Sequence, residues 1–302
     1  MHVDMLQIEQ LTKSYGKIRA LHNVSFKVAA GEIFGYLGPN GAGKTTTLRL
    51  IAGLVHADSG EVRLFGEKNF LPHMRGAMGY LPGELHFYAD MSAQQLLDFF
   101  AGFRPQRPPV LRQKLLKAFE VSREVLSRKI KHLSHGTRQK IGLLVAMQHD
   151  PDLLLLDEPT TGLDPLMQQA FREIILDFSA RGRAVFFSSH VLSEVEAVCS
   201  SIAILRAGEI VAIESMAALR DKMLRRLQVR FRAAAPQSVL TCPGVVRTQV
   251  QGREVVLWVR GEINAVLRAL AQVEIEHLVF PEPELEDIFL SFYNKSDRPP
   301  NV

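Results

Sequence analysis

The sequence lacks long apolar runs and has only two cysteines among its 302 residues. No run approaches the length of about 18 apolar residues that a membrane-spanning helix needs. The N-terminal MHVDMLQIEQ has no basic stretch leading into an apolar one, so it does not resemble a signal peptide. Cys199 and Cys242 are too few for a disulfide framework or a zinc cluster. These absences predict a cytosolic chain.

A strong charge excess is also lacking. The net charge is +4, which does not by itself indicate binding to nucleic acid. We interpret the one dense basic run as a solvated helix face and strand edge, with contact to a membrane surface or a partner as the alternative. The basic residues of this run are Arg220, Lys222, Arg225, Arg226, Arg230 and Arg232.

The first 217 residues are typical of an α/β domain. Residues 1–36 read as strands and turns, and short apolar runs at Ile33–Leu37, Leu153–Leu156 and Ala184–Phe187 are typical of buried parallel strands. The first of these runs leads into a glycine loop, and a helix is predicted over Thr46–Leu54. Residues from about 88 to 150 have helical spacing instead, which predicts a mainly helical insertion. Ser92 and Gln95 form a capping-box pair that predicts the start of a helix there.

A second pattern begins near residue 218 and predicts a small α+β domain over 218–302. Leu227, Val229 and Phe231 alternate as in a half-buried strand. Further strands and one helix follow in the sequence. Near the end, apolar residues recur at helical spacing from Leu285 to Phe292, behind acidic residues that suit the first turn of a helix.

The segment GPNGAGKT, Gly38–Thr45, matches the phosphate-binding pattern G-x-x-x-x-G-K-[ST]. Its glycines let backbone N–H groups turn towards phosphate oxygens at a helix N-terminus. Lys44 is then expected to reach the β- and γ-phosphates, and Thr45 to hold Mg²⁺ through its hydroxyl. A chance match in a chain of this length has a probability of about 1% at average residue frequencies.

Two further segments deliver polar residues to the ends of apolar strands. LLLLDEP, Leu153–Pro159, ends in two carboxylates: Asp157 suits the Mg²⁺ shell, and Glu158 could accept the proton of an attacking water. FFSSH, Phe186–His190, brings a histidine to the same edge of a parallel sheet. A single histidine is more often structural than catalytic, but beside the other two motifs a γ-phosphate contact by His190 is the favoured interpretation.

Together these residues resemble the ATP-binding subunit of an ABC transporter, in particular the group that serves ABC-2-type export permeases for drugs, antibiotics or polysaccharides. The resemblance is strong over residues 1–215, and EPELEDIFLSFY, Glu282–Tyr293, resembles the C-terminal segment of that group. It implies a P-loop NTPase cassette with a RecA-like core, an antiparallel β part and a helical insertion, followed by the small C-terminal domain.

The resemblance also implies roles for individual residues. Tyr15 lies where an aromatic ring stacks on adenine, and Asp164 lies in the segment that crosses to a partner cassette. The signature segment LSHGTRQK keeps Ser134 and Gly136 of the family pattern LSGGQ, and this serine is expected to grip the γ-phosphate held by the opposing subunit. The nucleotide-binding residues of the glycine loop are Gly38, Pro39, Asn40, Gly41, Ala42, Gly43, Lys44, Thr45 and Thr46.

Two segments depart from the family, the first being the signature segment at His135 and Thr137. In the second, MGYLPGELHFY, Gly83 and Glu84 occupy the place of a glutamine that senses Mg²⁺ and the lytic water. Glu84 is therefore a candidate metal ligand, either direct or through water, together with Thr45 and Asp157.

The function implied is ATP hydrolysis, with ATP and Mg²⁺ as cofactors and with Glu158 and His190 as the catalytic residues. Two copies of the cassette would sandwich two ATP molecules and drive export through a separate transmembrane permease, at the cytoplasmic face of the membrane. No nucleic-acid partner is expected.

Three alternative functions are each disfavoured by the sequence. A soluble ABC ATPase acting on ribosomes or DNA is disfavoured because such proteins usually carry two cassettes or long coiled coils. A P-loop kinase or GTPase is disfavoured because the segments LLLLDEP and FFSSH fit such proteins poorly. A degenerate cassette that only regulates is disfavoured by the presence of Glu158 and His190.

Overall fold

A computed structural model describes residues 4–68, 72–222, 224–261 and 263–281. The chain divides into two compact units between Glu214 and Ser215. The boundary expected from the sequence lies between 217 and 218. Within the described ranges, no helix combines the length and apolar character needed to cross a bilayer. The helix expected between Leu285 and Phe292 lies outside the described residues.

The first unit contains nine strands and eight α-helices among its described residues. The strands are β1 (Asp4–Tyr15), β2 (Ile18–Ala29), β3 (Ile33–Leu37), β4 (Ser59–Leu64), β5 (Met78–Leu81), β6 (Leu153–Asp157), β7 (Ala184–Ser189), β8 (Ser201–Arg206) and β9 (Glu209–Ser215). The helices are α1 (Lys44–Ile51), α2 (Pro72–Ala77), α3 (Ala93–Gly102), α4 (Arg112–Ala118), α5 (Arg123–Ser127), α6 (His135–Met147), α7 (Pro165–Ala180) and α8 (Leu192–Glu196).

Strands β1, β2 and β4 form an antiparallel sheet in the order β2-β1-β4. In the register of β1 with β2, Leu6 lies opposite Val28 and Ile8 lies opposite Phe26. All four side chains are buried. The alternation of apolar residues therefore places one face of this sheet against the core, because side chains on a strand point to opposite faces in turn.

The second sheet has six strands in the order β5-β6-β7-β3-β8-β9. The pairs from β5 through to β8 are parallel. Every residue of β3, β6 and β7 is buried, as expected for strands covered on both faces. The carboxyl ends of these three neighbouring strands meet at one edge, and the residues that follow them form the site described below.

An aromatic cluster lies in the core of this unit, where residues of the antiparallel sheet meet residues of the parallel sheet. The ring of Phe26 stacks on Phe34 with centroids 5.2 Å apart and on Phe186 at 5.4 Å. The rings of Tyr36 and Phe186 are 5.1 Å apart. Large buried rings contribute much of the apolar area removed from water, so this cluster fixes the two sheets against each other.

The predicted helical insertion is present as α3, α4, α5, α6 and a 3-10 turn at Ile130–His132. At the start of α3, the Ser92 side chain accepts from the Gln95 backbone N–H, and the Gln95 side chain accepts from that of Ser92. This capping box was predicted. Helix α1 begins at Lys44 rather than at Thr46, because Gly43 is its N-cap and the Thr47 N–H donates to the Gly43 carbonyl at 3.0 Å.

The second unit is a four-stranded antiparallel sheet with two helices between its strands. Its elements are α9 (Met216–Lys222), β10 (Leu224–Phe231), α10 (Gln237–Leu240), β11 (Val245–Gln251), β12 (Glu254–Arg260), α11 (Asn264–Leu270) and β13 (Ile275–Val279). The strand order is β11-β12-β10-β13, so β10 to β13 follow the β-α-β-β-α-β pattern of ferredoxin-like units. The alternating Leu227, Val229 and Phe231 are buried in its core, as their spacing predicted.

We expect Gly35→Ala to destabilise the first unit. A Cβ at Gly35, in the middle of β3, would lie 2.5 Å from Val195 Cγ1 and 3.0 Å from both Cys199 Sγ and Ile202 Cγ2. Overpacking of this kind costs about 1–3 kcal/mol. Urea denaturation would measure the loss. Gly102→Ala is the matched control because its Cβ would have no atom within 4 Å, and an equal effect of the two substitutions would contradict this packing.

Candidate functional site

The glycine loop joins β3 to α1 through residues 38–43. Gly41 and Gly43 have positive φ angles of 80° and 112°, which side chains other than glycine rarely adopt. A Cβ at Gly38 would lie 2.5 Å from the Leu205 carbonyl oxygen. Glycine is therefore required at these positions by the turn of the loop and by its close approach to β8.

Lys44, the first residue of α1, is only 6% exposed. Its Nζ donates to the carbonyl oxygens of Gly38 at 2.7 Å and Pro39 at 3.2 Å. It also lies 3.2 Å from Glu158 Oε1. A buried ammonium is costly unless it is paired and hydrogen-bonded, and these oxygens supply both. The positive charge is thus held inside the curve of the glycine loop.

Asp157 ends β6 and is buried, with 1% of its surface exposed. The Thr45 hydroxyl donates to its Oδ2 at 2.7 Å, and the Ser188 hydroxyl donates to its Oδ1 at 2.6 Å. The pKa of the neighbouring Tyr80 is raised to about 12, mainly by burial and secondly by the negative charge of Asp157. The structure thus brings together Thr45 and Asp157, and it adds Ser188, which the sequence interpretation did not single out although it lies in FFSSH.

The Thr45–Asp157 pair fits a hard cation such as Mg²⁺. Hydroxyl and carboxylate oxygens are its preferred ligands, and Mg²⁺ commonly takes one or two protein ligands alongside phosphate and water oxygens. Among the described residues, no group of three or more His, Cys, Asp and Glu side chains could hold a metal ion.

Glu84 lies elsewhere. Its side chain is 86% exposed, and its carboxylate is 4.0 Å from His86 Nε2. The residue of this segment next to the carboxylate of β6 is Gly83, where a Cβ would lie 3.2 Å from Asp157 Oδ2. Position 83 therefore faces the candidate metal site, and the role suggested for Glu84 requires a movement of this segment.

Glu158 and His190 contact each other directly. His190 Nδ1 is 2.7 Å from Glu158 Oε2, while the other carboxylate oxygen faces Lys44. The Glu158 side chain is 19% exposed and that of His190 is 47% exposed, so both groups reach solvent. Glu158 has a φ of 50°, a conformation that costs a residue other than glycine about 1–3 kcal/mol.

The remaining predicted residues lie apart from this cluster in the single chain. Tyr15 ends β1, is 45% exposed, and has Lys13 Nζ 5.5 Å from its ring centroid. Ser134 and Asp164 are the N-caps of α6 and α7. Within the described parts of the chain, no hydrogen bond or ion pair joins any of these three residues to Lys44 or Glu158.

Gly136 lies in the first turn of α6, two residues after Ser134. A Cβ at Gly136 would lie 2.5 Å from the Gly162 carbonyl oxygen. A glycine at this position therefore lets the beginning of α6 pack closely on the loop between Glu158 and Asp164.

Comparison with known proteins identifies relatives of this chain. The family model described as "ABC transporter" matches residues 21–161. An uncharacterized ABC transporter ATP-binding protein of Nostoc sp. is 38% identical over 66% of this chain, and the match covers 61% of that relative, less than two thirds of its length. The Nod factor export ATP-binding protein I of Paraburkholderia xenovorans is 30% identical over 94% of this chain and 95% of its own. The linearmycin resistance ATP-binding protein LnrL of Bacillus subtilis is 34% identical over 69% of this chain and 68% of its own.

Solved structures confirm the predicted cassette fold. An ATP-binding subunit of an ABC transporter matches with a TM-score of 0.65 and 29% identity, covering 72% of this chain and 92% of that one. A dimeric ATP-binding cassette in a post-hydrolysis state, bound to ADP and phosphate, matches with a TM-score of 0.60 and 25% identity, covering 70% and 99%. The alignment with the Paraburkholderia relative covers nearly the whole of both chains, and the solved structures share the fold. The chain therefore belongs to the ATP-binding proteins of ABC transporters, the ABC cassette ATPase family.

Proposed function

We propose that this chain binds MgATP on its glycine loop and hydrolyses it as one half of a cassette dimer that powers export through a separate membrane permease. The observation that carries the proposal is the convergence of four groups where β3, β6 and β7 end. Glu158 contacts both Lys44 and His190, and the hydrogen-bonded pair of Thr45 and Asp157 directly adjoins Lys44 and Glu158 in the chain. A cation, two oxygen ligands, a base and an imidazole are the groups that phosphoryl transfer needs.

In this proposal the loop and α1 bind the nucleotide. Backbone N–H groups of residues 40–46 donate to phosphate oxygens, and the Lys44 ammonium moves from the loop carbonyls to the β- and γ-phosphates. Tyr15 stacks on the adenine. Thr45 and Asp157 hold Mg²⁺, which when bound neutralises charge that develops on the phosphate oxygens. The exposed ring of Tyr15 and the buried ammonium of Lys44 support these roles.

Glu158 and His190 carry the chemistry. The Glu158 carboxylate accepts a proton from water, the water oxygen bonds to the γ-phosphorus, and the bond from the γ-phosphorus to the bridging oxygen of ADP breaks. His190 donates a hydrogen bond to the γ-phosphate as its charge shifts. The 2.7 Å contact between these two side chains supports their acting on the same atoms.

The second half of each site comes from another copy of the chain. Ser134 is an exposed N-cap of α6, and the half-buried Gly136 lies in the first turn of the same helix. The proposed dimer brings this serine and helix N-terminus to the γ-phosphate on the opposing glycine loop, with Asp164 at the crossing. The similarity to a dimeric cassette bound to ADP and phosphate supports this arrangement.

Export through a permease at the cytoplasmic face of the membrane is proposed from the names of relatives. The Paraburkholderia protein is named for Nod factor export and the Bacillus protein for linearmycin resistance. In this arrangement the permease selects the cargo, because the proposed site of the cassette contacts only nucleotide. Glu84 remains a proposed metal or water ligand that would act only after its segment moves.

Glu158→Gln is expected to lower ATP turnover by about 10²–10⁴-fold, the usual contribution of a general base, while ATP affinity is retained. The variant should accumulate as an ATP-bound dimer, which size-exclusion chromatography with ATP would detect beside a phosphate-release assay. Glu173→Gln, on an exposed face of α7 with Gln169 as its partner, serves as the control. Normal turnover by Glu158→Gln would exclude Glu158 as the base.

Lys44→Ala should weaken ATP binding itself. Hydrogen bonds to charged groups contribute about 1.5–3 kcal/mol, which corresponds to a loss of about 10- to 100-fold in affinity. Titration with a fluorescent ATP analogue would measure it, with the exposed Lys117→Ala as the control. If the affinities of the two variants were equal, Lys44 would not contact the phosphates.

Purification of the tagged full chain from detergent-solubilised membranes of its native cell should recover a membrane-spanning protein, identified by mass spectrometry. ATP hydrolysis by the recovered complex should exceed that of the chain alone. Recovery of ribosomal proteins in place of a membrane protein would instead favour a soluble ABC ATPase.

A further inference from the structure

The turn that carries Glu158 is strained and requires support. Glu158 has a φ of 50°, in the left-handed region that favours glycine. Its backbone N–H donates to the Ser188 carbonyl at 3.1 Å, which fixes the start of the turn. Pro159 and Thr160 follow, and side chains from two different helices hold them.

Gln139 supports the turn from α6. This side chain is 3% exposed, and its Nε2 donates to the Pro159 carbonyl oxygen at 2.9 Å. The same nitrogen lies 3.5 Å from the Glu158 carbonyl oxygen, a longer contact. Gln139 thus connects the helix that begins after Ser134 to the backbone of the turn.

Glu194 supports the turn from α8. Its Oε1 accepts from the Thr160 hydroxyl at 2.6 Å, and its Oε2 accepts from the Ser189 hydroxyl at 2.8 Å. Thr160 and Ser189 are 7% and 0% exposed. Thr160 lies two residues after Glu158, and Ser189 immediately precedes His190. One carboxylate therefore connects the segments that carry both catalytic groups of the proposed mechanism.

These contacts could serve only to satisfy buried polar groups. Their placement indicates more than that, because Gln139 and Glu194 bind the two residues that follow Glu158, and Glu194 also binds the residue that precedes His190. A carboxylate that must accept a proton needs a fixed position, and a displacement of about 1 Å can cost about 10²-fold in rate.

We propose that Gln139 and Glu194 are positioning residues, which together form a clamp that holds Glu158 in line with His190. The inference rests on the proposed catalytic role of Glu158. Through Gln139, the clamp also makes the position of the carboxylate depend on α6, the helix whose N-terminus is proposed to contact the nucleotide of the opposing copy.

The test uses two single variants of the full chain, Gln139→Leu and Glu194→Ala. Each should lower kcat for ATP by about 10- to 100-fold while KM and ATP affinity change by less than about threefold. Glu194→Gln, which keeps the length and one acceptor oxygen, should recover part of the rate. Gln169→Leu and Glu196→Ala, on exposed or half-buried faces of α7 and α8, should keep the normal kcat.

The same clamp substitutions in a Glu158→Gln background separate positioning from general damage. Residues that act only through Glu158 should change the residual single-turnover rate by less than about twofold there. Equal losses of rate in both backgrounds would overturn the clamp.

Hydrogen exchange gives a readout that does not depend on activity. The amides of residues 158–163 should exchange faster in Gln139→Leu and Glu194→Ala than in the parent chain, while amides of β3 and β7 stay protected. Unchanged exchange at 158–163 in both variants would overturn the clamp. If Glu194→Ala does not fold, unchanged exchange in Gln139→Leu alone would overturn it. A fully active Glu158→Gln would instead contradict the proposed role of Glu158, with the exchange data still reporting on the clamp.

Discussion

The buried carboxylate of Asp157 is the constraint on which the arrangement of the site depends. A charge with 1% exposure must be hydrogen-bonded, and it receives hydroxyl groups from Thr45 on α1 and Ser188 on β7. These two bonds fix the start of the glycine-loop helix and the neighbouring strand relative to the end of β6. Glu158, as the next residue, is thereby placed between Lys44 and His190.

Much of the fold follows from local patterns in the sequence. Fully apolar runs predicted β3, β6 and β7, and the Ser92–Gln95 capping box predicted the start of α3, because burial on both faces and helix capping are encoded by adjacent residues. The start of α1 was misplaced by two residues, since the left-handed conformation of Gly43 lets the helix begin at once. The motifs also predicted which residues would gather at the sheet edge.

Other features of the site depend on contacts between distant segments. Gly83 faces Asp157 and Glu84 does not, which depends on the backbone path of the segment after β5. The hydrophobic periodicity of the sequence does not distinguish these two adjacent positions. Gln139 and Glu194 lie 19 and 36 residues from Glu158 in the chain, and neither was a candidate site residue, although Gln139 belongs to the signature segment LSHGTRQK. Their contacts with the turn result from how α6 and α8 pack, which a linear motif does not contain.

The hydrogen bonds of Lys44 have a consequence for nucleotide affinity. Its ammonium already donates hydrogen bonds to carbonyl oxygens of the loop and forms an ion pair with Glu158. In the proposed mechanism, an incoming triphosphate therefore competes with these protein oxygens for the ammonium. The contribution of Lys44 to the free energy of binding is then the difference between its bonds to phosphate oxygens and its bonds to protein oxygens. Such an exchange reaction keeps the charge compensated at every stage. It also allows the product to leave after hydrolysis, because the Lys44 ammonium can form its hydrogen bonds to the loop carbonyl oxygens again as the product departs.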